Sequence, residues 1–323
     1  MKYISVLPDQ TLDFQDVSKP PVGLEECLVR VKAFGINRAD LLQRAGMYPP
    51  PKGESEILGL EVSGEVVALG KEVNSFKVGS EVFGLVPGGA YAEFVVAKAS
   101  HLIGKPTSYS FEQAAATAET YLTAYQSLFT IAKLKAGDSV LIHAGASGVG
   151  TAAIQLAKSI GCFVVATVGS AKKLEACKKL GADIVLNYHD IDFQQWTKEN
   201  HKTGFNVILD VVAGAYLNKN ISVSALDGKI IILSMLGGRY SEQVDIAKML
   251  LKRVTISAST LRNRSDAYKS KLTSEFTNAF KTQIENGEIL PLIDTVFSWQ
   301  DIEKYHIKMS KNENIGKYVA VID

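Results

Sequence analysis

The run His143-Ala144-Gly145-Ala146-Ser147-Gly148-Val149-Gly150 carries the strongest chemical signal in the chain. It follows Ser139-Val140-Leu141-Ile142, an almost continuous apolar stretch of the kind that forms a strand covered on both faces. It precedes an apolar stripe at Val149, Ala152, Ala153, Leu156, Ala157 and Ile160, which has helical spacing. A glycine-rich turn between a buried strand and a helix suits a dinucleotide diphosphate. The first helical N–H groups have no partner inside the helix, and glycine lets the backbone approach the phosphates. Read as G-x-G-x-x-G, the turn has Gly145 first and Gly150 third, with Ser147 at the second place and Gly148 and Val149 opening the helix. The Ser147 side chain either holds the diphosphate slightly off or hydrogen-bonds it through the hydroxyl.

The end of the next strand selects the cofactor. Folds that take NAD commonly place Asp or Glu about 20 residues further on, bonded to the ribose 2′-OH. Here the segment is Thr167-Val168-Gly169-Ser170-Ala171-Lys172-Lys173, with no acid before Glu175. Lys172 and Lys173 open a helix, where a cation opposes the helix dipole. A bound phosphate would offset that conflict, so Ser170 and Lys173 are expected to receive the 2′-phosphate of NADPH.

These residues need a scaffold, and the sequence supplies two rhythms. Up to about residue 117 it reads as short strands broken by glycines. They are Leu28 to Ala33, Glu61 to Val67, Lys77 to Phe83 and Ala90 to Val96. Closely spaced strands of this kind suggest a small barrel or sandwich. From residue 118 strands and helices alternate. Cys162 to Val168, Ile184 to Leu186, Asn206 to Val212, Gly228 to Ser234 and Thr255 to Ser259 read as further strands, and Lys172 to Leu180 as a helix. That alternation predicts a doubly wound parallel sheet. The tail has a helix over 266–286 stopped by Gly287, a shorter helix after Ser298, where Ser298 and Asp301 resemble a capping box, and a last strand over 317–322.

Composition narrows the function. The chain has 323 residues, enough for two cores, and a net charge of +1, which argues against nucleic acid as the main partner. No apolar run approaches the roughly 20 residues of a membrane span. The start, MKYISVLPDQ, has no signal-like apolar stretch, so a cytoplasmic location is expected. Three scattered cysteines, Cys27, Cys162 and Cys177, fit free thiols in a reducing compartment.

Several segments together resemble the zinc-free quinone oxidoreductase branch of the medium-chain dehydrogenase/reductase superfamily. They include Asn37-Arg38-Ala39-Asp40-Leu41, Gly46-Met47-Tyr48-Pro49-Pro50, Gly59-Leu60-Glu61, the His143 to Gly150 turn, Asn187-Tyr188, Ser234-Met235-Leu236-Gly237-Gly238 and Asn314-Ile315-Gly316-Lys317. Within that branch the likeness is nearest to the tumour-suppressor-inducible type. The resemblance implies an α/β chain with a GroES-like β-rich catalytic domain (1–117 and 263–323) and a Rossmann NADPH-binding domain (118–262), with the active site in a cleft between them. It also implies that Tyr188 lies at the adenine end of the cofactor. Ser234, Leu236, Gly237 and Asn314 would lie near its nicotinamide end or adjoining ribose, and Ser147 and Val149 would line the diphosphate and nicotinamide pocket.

Zinc-dependent relatives place a cysteine, a His-Glu pair and a later cysteine around the metal. Here those places read Asn37, Leu60-Glu61 and Thr117-Ala118-Glu119-Thr120, and the four-cysteine lobe is missing. Glu61 alone cannot assemble such a site, so no metal is expected and alcohol oxidation is disfavoured. The expected activity is NADPH-dependent reduction of quinones or similar electron-poor molecules. An alkenal or enone reductase and a non-catalytic NADPH-binding protein stand as alternatives. Asn37 and Tyr48 are the expected substrate contacts, as amide and phenol donors to a carbonyl oxygen. His143, in a buried strand, reads as a satisfied core residue. Thr255 to Ser259 reads as an exposed edge strand able to pair with its twin in a homodimer, or else as an interior strand.

Overall fold

A computed structural model describes residues 1–322. They form two compact units. One comprises Met1–Leu122 and the chain from Leu261 onward, the other Thr123–Thr260. The change of sequence rhythm at residue 118 precedes the unit boundary by a few residues, because that boundary falls inside the helix Ala118–Tyr125.

The second unit is a six-stranded sheet ordered Ile184–Asn187, Phe163–Val168, Ser139–Ile142, Phe205–Asp210, Ser224–Ile232, Thr255–Ala258. Every pairing is parallel. Numbered along the chain, the order is 3-2-1-4-5-6, the doubly wound arrangement in which ligands bind beyond the carboxyl ends of the strands where the order reverses. The helices Gly148–Ser159, Ala171–Lys179, Phe193–Asn200 and Tyr216–Val223 connect the first five strands. Ser139–Ile142 is buried at all four residues, which is why it reads as a continuous apolar run and not as alternation. Leu141, Val165, Leu186, Ile208 and Ile230 form the centre of this core. Thr255–Ala258 ends the sheet, so this strand is an edge and not an interior element.

The first unit holds a seven-stranded sheet. Its path runs Ile293–Ser298, Lys317–Val321, Glu26–Gly35, Glu61–Leu69, Glu81–Leu85, Leu102–Gly104, with Phe94–Lys98 paired beside it to Glu26–Gly35. The long strand Glu26–Gly35 thus takes three partners along its length. A separate hairpin, Lys2–Val6 with Leu12–Asp16, was not marked by any strong alternation. Two expected strands start late. Residues 77–80 form a turn instead, closed by the Ser80 N–H on the Lys77 carbonyl at 2.9 Å with Gly79 at φ +87°. Tyr91 leaves strand geometry to pack its ring against Phe34.

The long tail helix spans Asp266–Glu285, capped by Ser265, and Gly287 follows at φ +71°. A short 3-10 turn, Trp299–Asp301, separates Ser298 from the helix Ile302–Ser310. Asp301, not Ser298, is therefore the residue that precedes that helix. Among the described residues, no helix is long and apolar enough to cross a membrane.

Candidate functional site

The glycine turn forms as a tight strand-to-helix junction. Ala144 takes φ +52°, a left-handed conformation that L side chains rarely adopt. The Gly145 N–H donates to the Thr167 carbonyl at 2.9 Å, which ties the turn to the neighbouring strand. A Cβ on Gly145 would stand 2.7 Å from the Ala166 Cβ. A Cβ on Gly150 would stand 2.5 Å from the Ala144 carbonyl oxygen and 2.7 Å from that of Gly145. Gly150 is thus required by close backbone packing, and Gly145 by the side chain of the neighbouring strand. The Ser147 hydroxyl accepts the Gly150 N–H at 3.0 Å and caps the helix Gly148–Ser159. Its first task is local, and any bond to a ligand would use its remaining hydrogen. Gly148 and Val149, the first residues of that helix, carry N–H groups beyond the reach of helical pairing.

The neighbouring strand end repeats the device. Ser170 caps the helix Ala171–Lys179 by accepting the Lys173 N–H at 3.4 Å. Lys172 is exposed and Lys173 half-buried. The Tyr188 phenol lies directly over Gly169, where a Cβ would push the ring aside. Ser170, Lys173 and Tyr188 therefore share one corner beyond the strands Phe163–Val168 and Ile184–Asn187. Beyond Ser224–Ile232, the Leu236 and Gly237 N–H groups donate to the Val211 and Val212 carbonyls at 3.2 and 2.7 Å, leaving Ser234 half-buried and Leu236 exposed.

A buried polar chain beneath these loops escaped the sequence reading. The Asp210 carboxylate accepts the Val212 and Ala213 N–H groups at 2.7 and 2.9 Å, and the Asn220 Nδ2 at 2.9 Å. A carboxylate can only accept, so Asn220 turns its Oδ1 to His143 Nε2 at 2.8 Å, and His143 donates there. His143 Nδ1 then accepts the Thr167 hydroxyl at 3.0 Å. Burial lowers the His143 pKa, against the pull of Asp210, and keeps the ring neutral. His143 is thus a satisfied core residue that fixes the loops at the point of strand reversal. The signal for Asp210 was present as a lone acid ending the apolar run Val207-Ile208-Leu209.

In the first unit a second buried network surrounds Glu61. Lys317 Nζ lies 2.8 Å from Glu61 Oε1 and also donates to the Ile36 carbonyl at 2.7 Å and to Asn37 Oδ1 at 2.6 Å. Asn37 Nδ2 donates to Glu61 Oε1 at 3.0 Å and toward the Gly35 carbonyl at 3.4 Å. Glu61 Oε2 accepts the Glu119 N–H at 2.9 Å. Lys317 and Glu61 are buried, and a Cβ on Gly35 would collide with the Glu61 carboxylate. Asn37, expected as a substrate contact, stands inside this network in the structure. Both amide hydrogens point into the protein because the Glu61–Lys317 pair needs them, and Asn37 becomes a positioning residue.

Asp40 continues the network. It accepts the Asn37 N–H at 2.7 Å and the Tyr91 hydroxyl at 3.1 Å, and Tyr91 meets His306 Nε2 at 2.9 Å. Burial pushes Asp40 up to about 6 and His306 down to about 3. Asn314 donates to the Gly316 carbonyl at 2.8 Å, tightening the turn that delivers Lys317.

Tyr48 stands apart from this network. Its half-buried ring lies 5.7 Å below the Arg262 guanidinium. Burial and then the nearby Glu119 raise its pKa, which Arg262 opposes. Glu119 itself is pushed up to about 8 by burial and by the Glu61 carboxylate. Among the described residues no three His, Cys, Asp or Glu side chains are placed to hold a metal ion.

Comparison with known proteins accords with this architecture. Residues 148–277 match the family model described as zinc-binding dehydrogenase, and residues 23–107 match the alcohol dehydrogenase GroES-like domain. The synaptic vesicle membrane protein VAT-1 homolog of Danio rerio is 31% identical over 94% of this chain, which spans 66% of that relative's length. The Rattus norvegicus protein of the same name is 30% identical over 94% of this chain and 78% of its own. Among solved structures, an NAD-dependent alcohol dehydrogenase superposes with TM-score 0.87 at 29% identity, covering 100% of both chains. A quinone oxidoreductase of Pseudomonas syringae pv. Tomato DC3000 superposes with TM-score 0.86 at 28% identity, covering 99% of each. With its GroES-like unit and its parallel nucleotide-binding sheet, the chain belongs to the medium-chain dehydrogenase/reductase superfamily of nicotinamide-dependent oxidoreductases.

Proposed function

We propose that the chain is an NADPH-dependent reductase of quinones that works without a metal, of the tumour-suppressor-inducible type within the quinone oxidoreductase branch. One observation carries this reading. Where the family's description implies zinc, the Glu61 carboxylate already holds the Lys317 ammonium at 2.8 Å. A cation of the protein stands where the metal would need ligands, and the residues do not fit zinc. An acceptor must then take a hydride without Lewis-acid help, as a quinone does by delocalising the arriving charge.

The nucleotide unit fits the cofactor. The cradle at Gly145 and Gly150 has no room for a side chain, and the Gly148 and Val149 N–H groups suit a diphosphate. Ser170 and Lys173 would hold the 2′-phosphate and Tyr188 the adenine. Ser234, Leu236, Gly237 and Asn314 would line the ribose and nicotinamide. When bound, the dihydronicotinamide supplies a hydride. The role of the chain is to hold it, exclude water and meet the charge that arrives on the acceptor. The open edge at Thr255–Ala258, beside the exposed Leu250 and Leu251, supports a homodimer.

The test is a panel. NADPH and NADH are each supplied with 1,4-naphthoquinone, an alkenal and no acceptor, and the reverse reaction is run on simple alcohols with added zinc. NADPH oxidation should be fastest with the naphthoquinone. A faster alkenal would move the assignment to enone reduction, consumption in no arm would leave a binding protein, and zinc-dependent alcohol oxidation would overturn the reading. Within this frame, Lys173→Glu should raise the KM for NADPH by about tenfold, the loss of roughly 1.4 kcal/mol of phosphate pairing, and reverse the coenzyme preference. Unchanged Michaelis constants for both coenzymes would remove Ser170 and Lys173 from the phosphate site.

A further inference from the structure

Arg262 is in a state that proteins seldom tolerate. It is 5% exposed, and its Nε donates to the Pro87 carbonyl at 3.0 Å. Neither Nη1 nor Nη2 has a hydrogen-bond partner among the described residues. A buried guanidinium with four idle hydrogens is costly, and such groups call for an explanation. Its ring neighbour does not supply one, since Tyr48 offers a π face at 5.7 Å, which steadies the plane of the guanidinium without using its hydrogens.

Arg262 lines a cavity of about 10 Å3 with Leu60, Val86, His101, Glu119 and Lys269. That space takes one water-sized atom. Its lining is largely apolar, and Arg262 is one of two cationic side chains on it. Lys269 contributes a second ammonium, and burial keeps His101 neutral by lowering its pKa. Glu119, faced by Glu61, Asp40, Lys317 and Lys269 as well as by Tyr48 and Arg262, is pushed up to about 8 by burial and by Glu61, so at neutral pH most of it holds a proton it can give, while Asp40 and Glu54 are the other acids that draw on the guanidinium. The pocket thus has the size of a single oxygen atom and the charge that suits an anionic one.

Resting on the reductase reading, we propose that Arg262 is the residue that receives the acceptor's carbonyl oxygen, with Tyr48 as the wall beneath it. This makes conjugated planar carbonyl compounds the substrate class. The hydride's electron pair forms the new bond at the acceptor, and the acceptor's π pair moves onto that oxygen. The C–H bond that breaks is the cofactor's, which is oxidised as the acceptor is reduced. The oxyanion lies against Nη1 and Nη2 and takes the Glu119 proton, and water reprotonates Glu119. A group that stabilises charge only as it develops raises turnover more than ground-state binding.

The test uses Arg262→Gln and Arg262→Lys in the full chain, with two readouts. The first is steady-state reduction of 1,4-naphthoquinone. The second is equilibrium titration, with no cofactor present, of 2-hydroxy-1,4-naphthoquinone, whose ionised oxygen mimics the oxyanion. Arg262→Gln should lower kcat/KM about a hundredfold, mostly in kcat. It should weaken the titrated probe about tenfold and leave the NADPH Kd, followed by nucleotide fluorescence, within about twofold. Arg262→Lys keeps the charge and guards against a folding defect, and should recover part of both losses. Unchanged kcat/KM and probe binding would mean that the cavity holds a structural water only, and would overturn the proposal. A parallel loss of NADPH affinity would also overturn it, by making Arg262 a cofactor ligand. If no acceptor is turned over yet the probe binds through Arg262, the reductase reading fails while the oxygen pocket stands.

Discussion

Replacing Lys317 with Met is expected to destabilise the first unit by about 3–5 kcal/mol, the range for removing one partner of a buried ion pair. The lysine is 4% exposed and Glu61 is fully buried, so the stranded carboxylate has no water to turn to. The Ile36 carbonyl and Asn37 Oδ1 also lose their donor. The two tryptophans separate the units, with Trp196 in the second and Trp299 buried in the first. Urea denaturation followed by Trp299 fluorescence in a Trp196→Phe background therefore reads the right unit. Adding Glu61→Gln to Lys317→Met should restore a good part of the loss, because an amide in that place carries no charge. A loss below about 1 kcal/mol for Lys317→Met would mean that Glu61 finds another cation, and would weaken the case against a metal there.

The second large effect is expected at Gly150. A Cβ there meets two backbone carbonyl oxygens, at 2.5 and 2.7 Å, and neither can swing aside as a side chain could. Gly150→Ala must lift the helix Gly148–Ser159 away from its strand, at a cost of about 1–3 kcal/mol. The same shift moves the Gly148 and Val149 N–H groups, so NADPH should bind about tenfold more weakly, or about 1.4 kcal/mol. Gly104→Ala is the control, since nothing lies within 4 Å of a Cβ at that position. Thermal denaturation and nucleotide titration of both variants check this. Equal behaviour of Gly150→Ala and Gly104→Ala would show that the turn does not depend on close helix packing.

The two units differ in how openly the chain announces them. In the nucleotide unit, local pattern is enough for the strands and the first helices. A strand buried on both faces must be apolar throughout, and an amphipathic helix must repeat about every 3.6 residues. Glycines must stand where backbones touch, so the six strands and the first two helices from Ser139 to Ala258 are legible, whereas the helices Phe193–Asn200, Tyr216–Val223 and Ile246–Lys252 are not marked in this way. The GroES-like unit is less open. Its strand pairing is irregular, with register shifts between Glu26–Gly35 and Glu61–Leu69, and turns such as residues 77–80 borrow residues that alternate like a strand.

What the sequence determined by itself was local: the glycine cradle, the lysines at the next helix start, the parallel alternation and the absence of a zinc-ligand pattern. What only the tertiary structure decided was which polar groups meet. Lys317 opens a strand and looks like an ordinary edge charge until Val319 pairs with Gly35, which carries its ammonium to Glu61. Arg262 looks like one basic residue among several until folding buries it with idle hydrogens. The reason is physical. Burial and periodicity are written along the chain because each element needs them on its own, whereas a buried charge is satisfied by partners that sheet register alone brings within 3 Å.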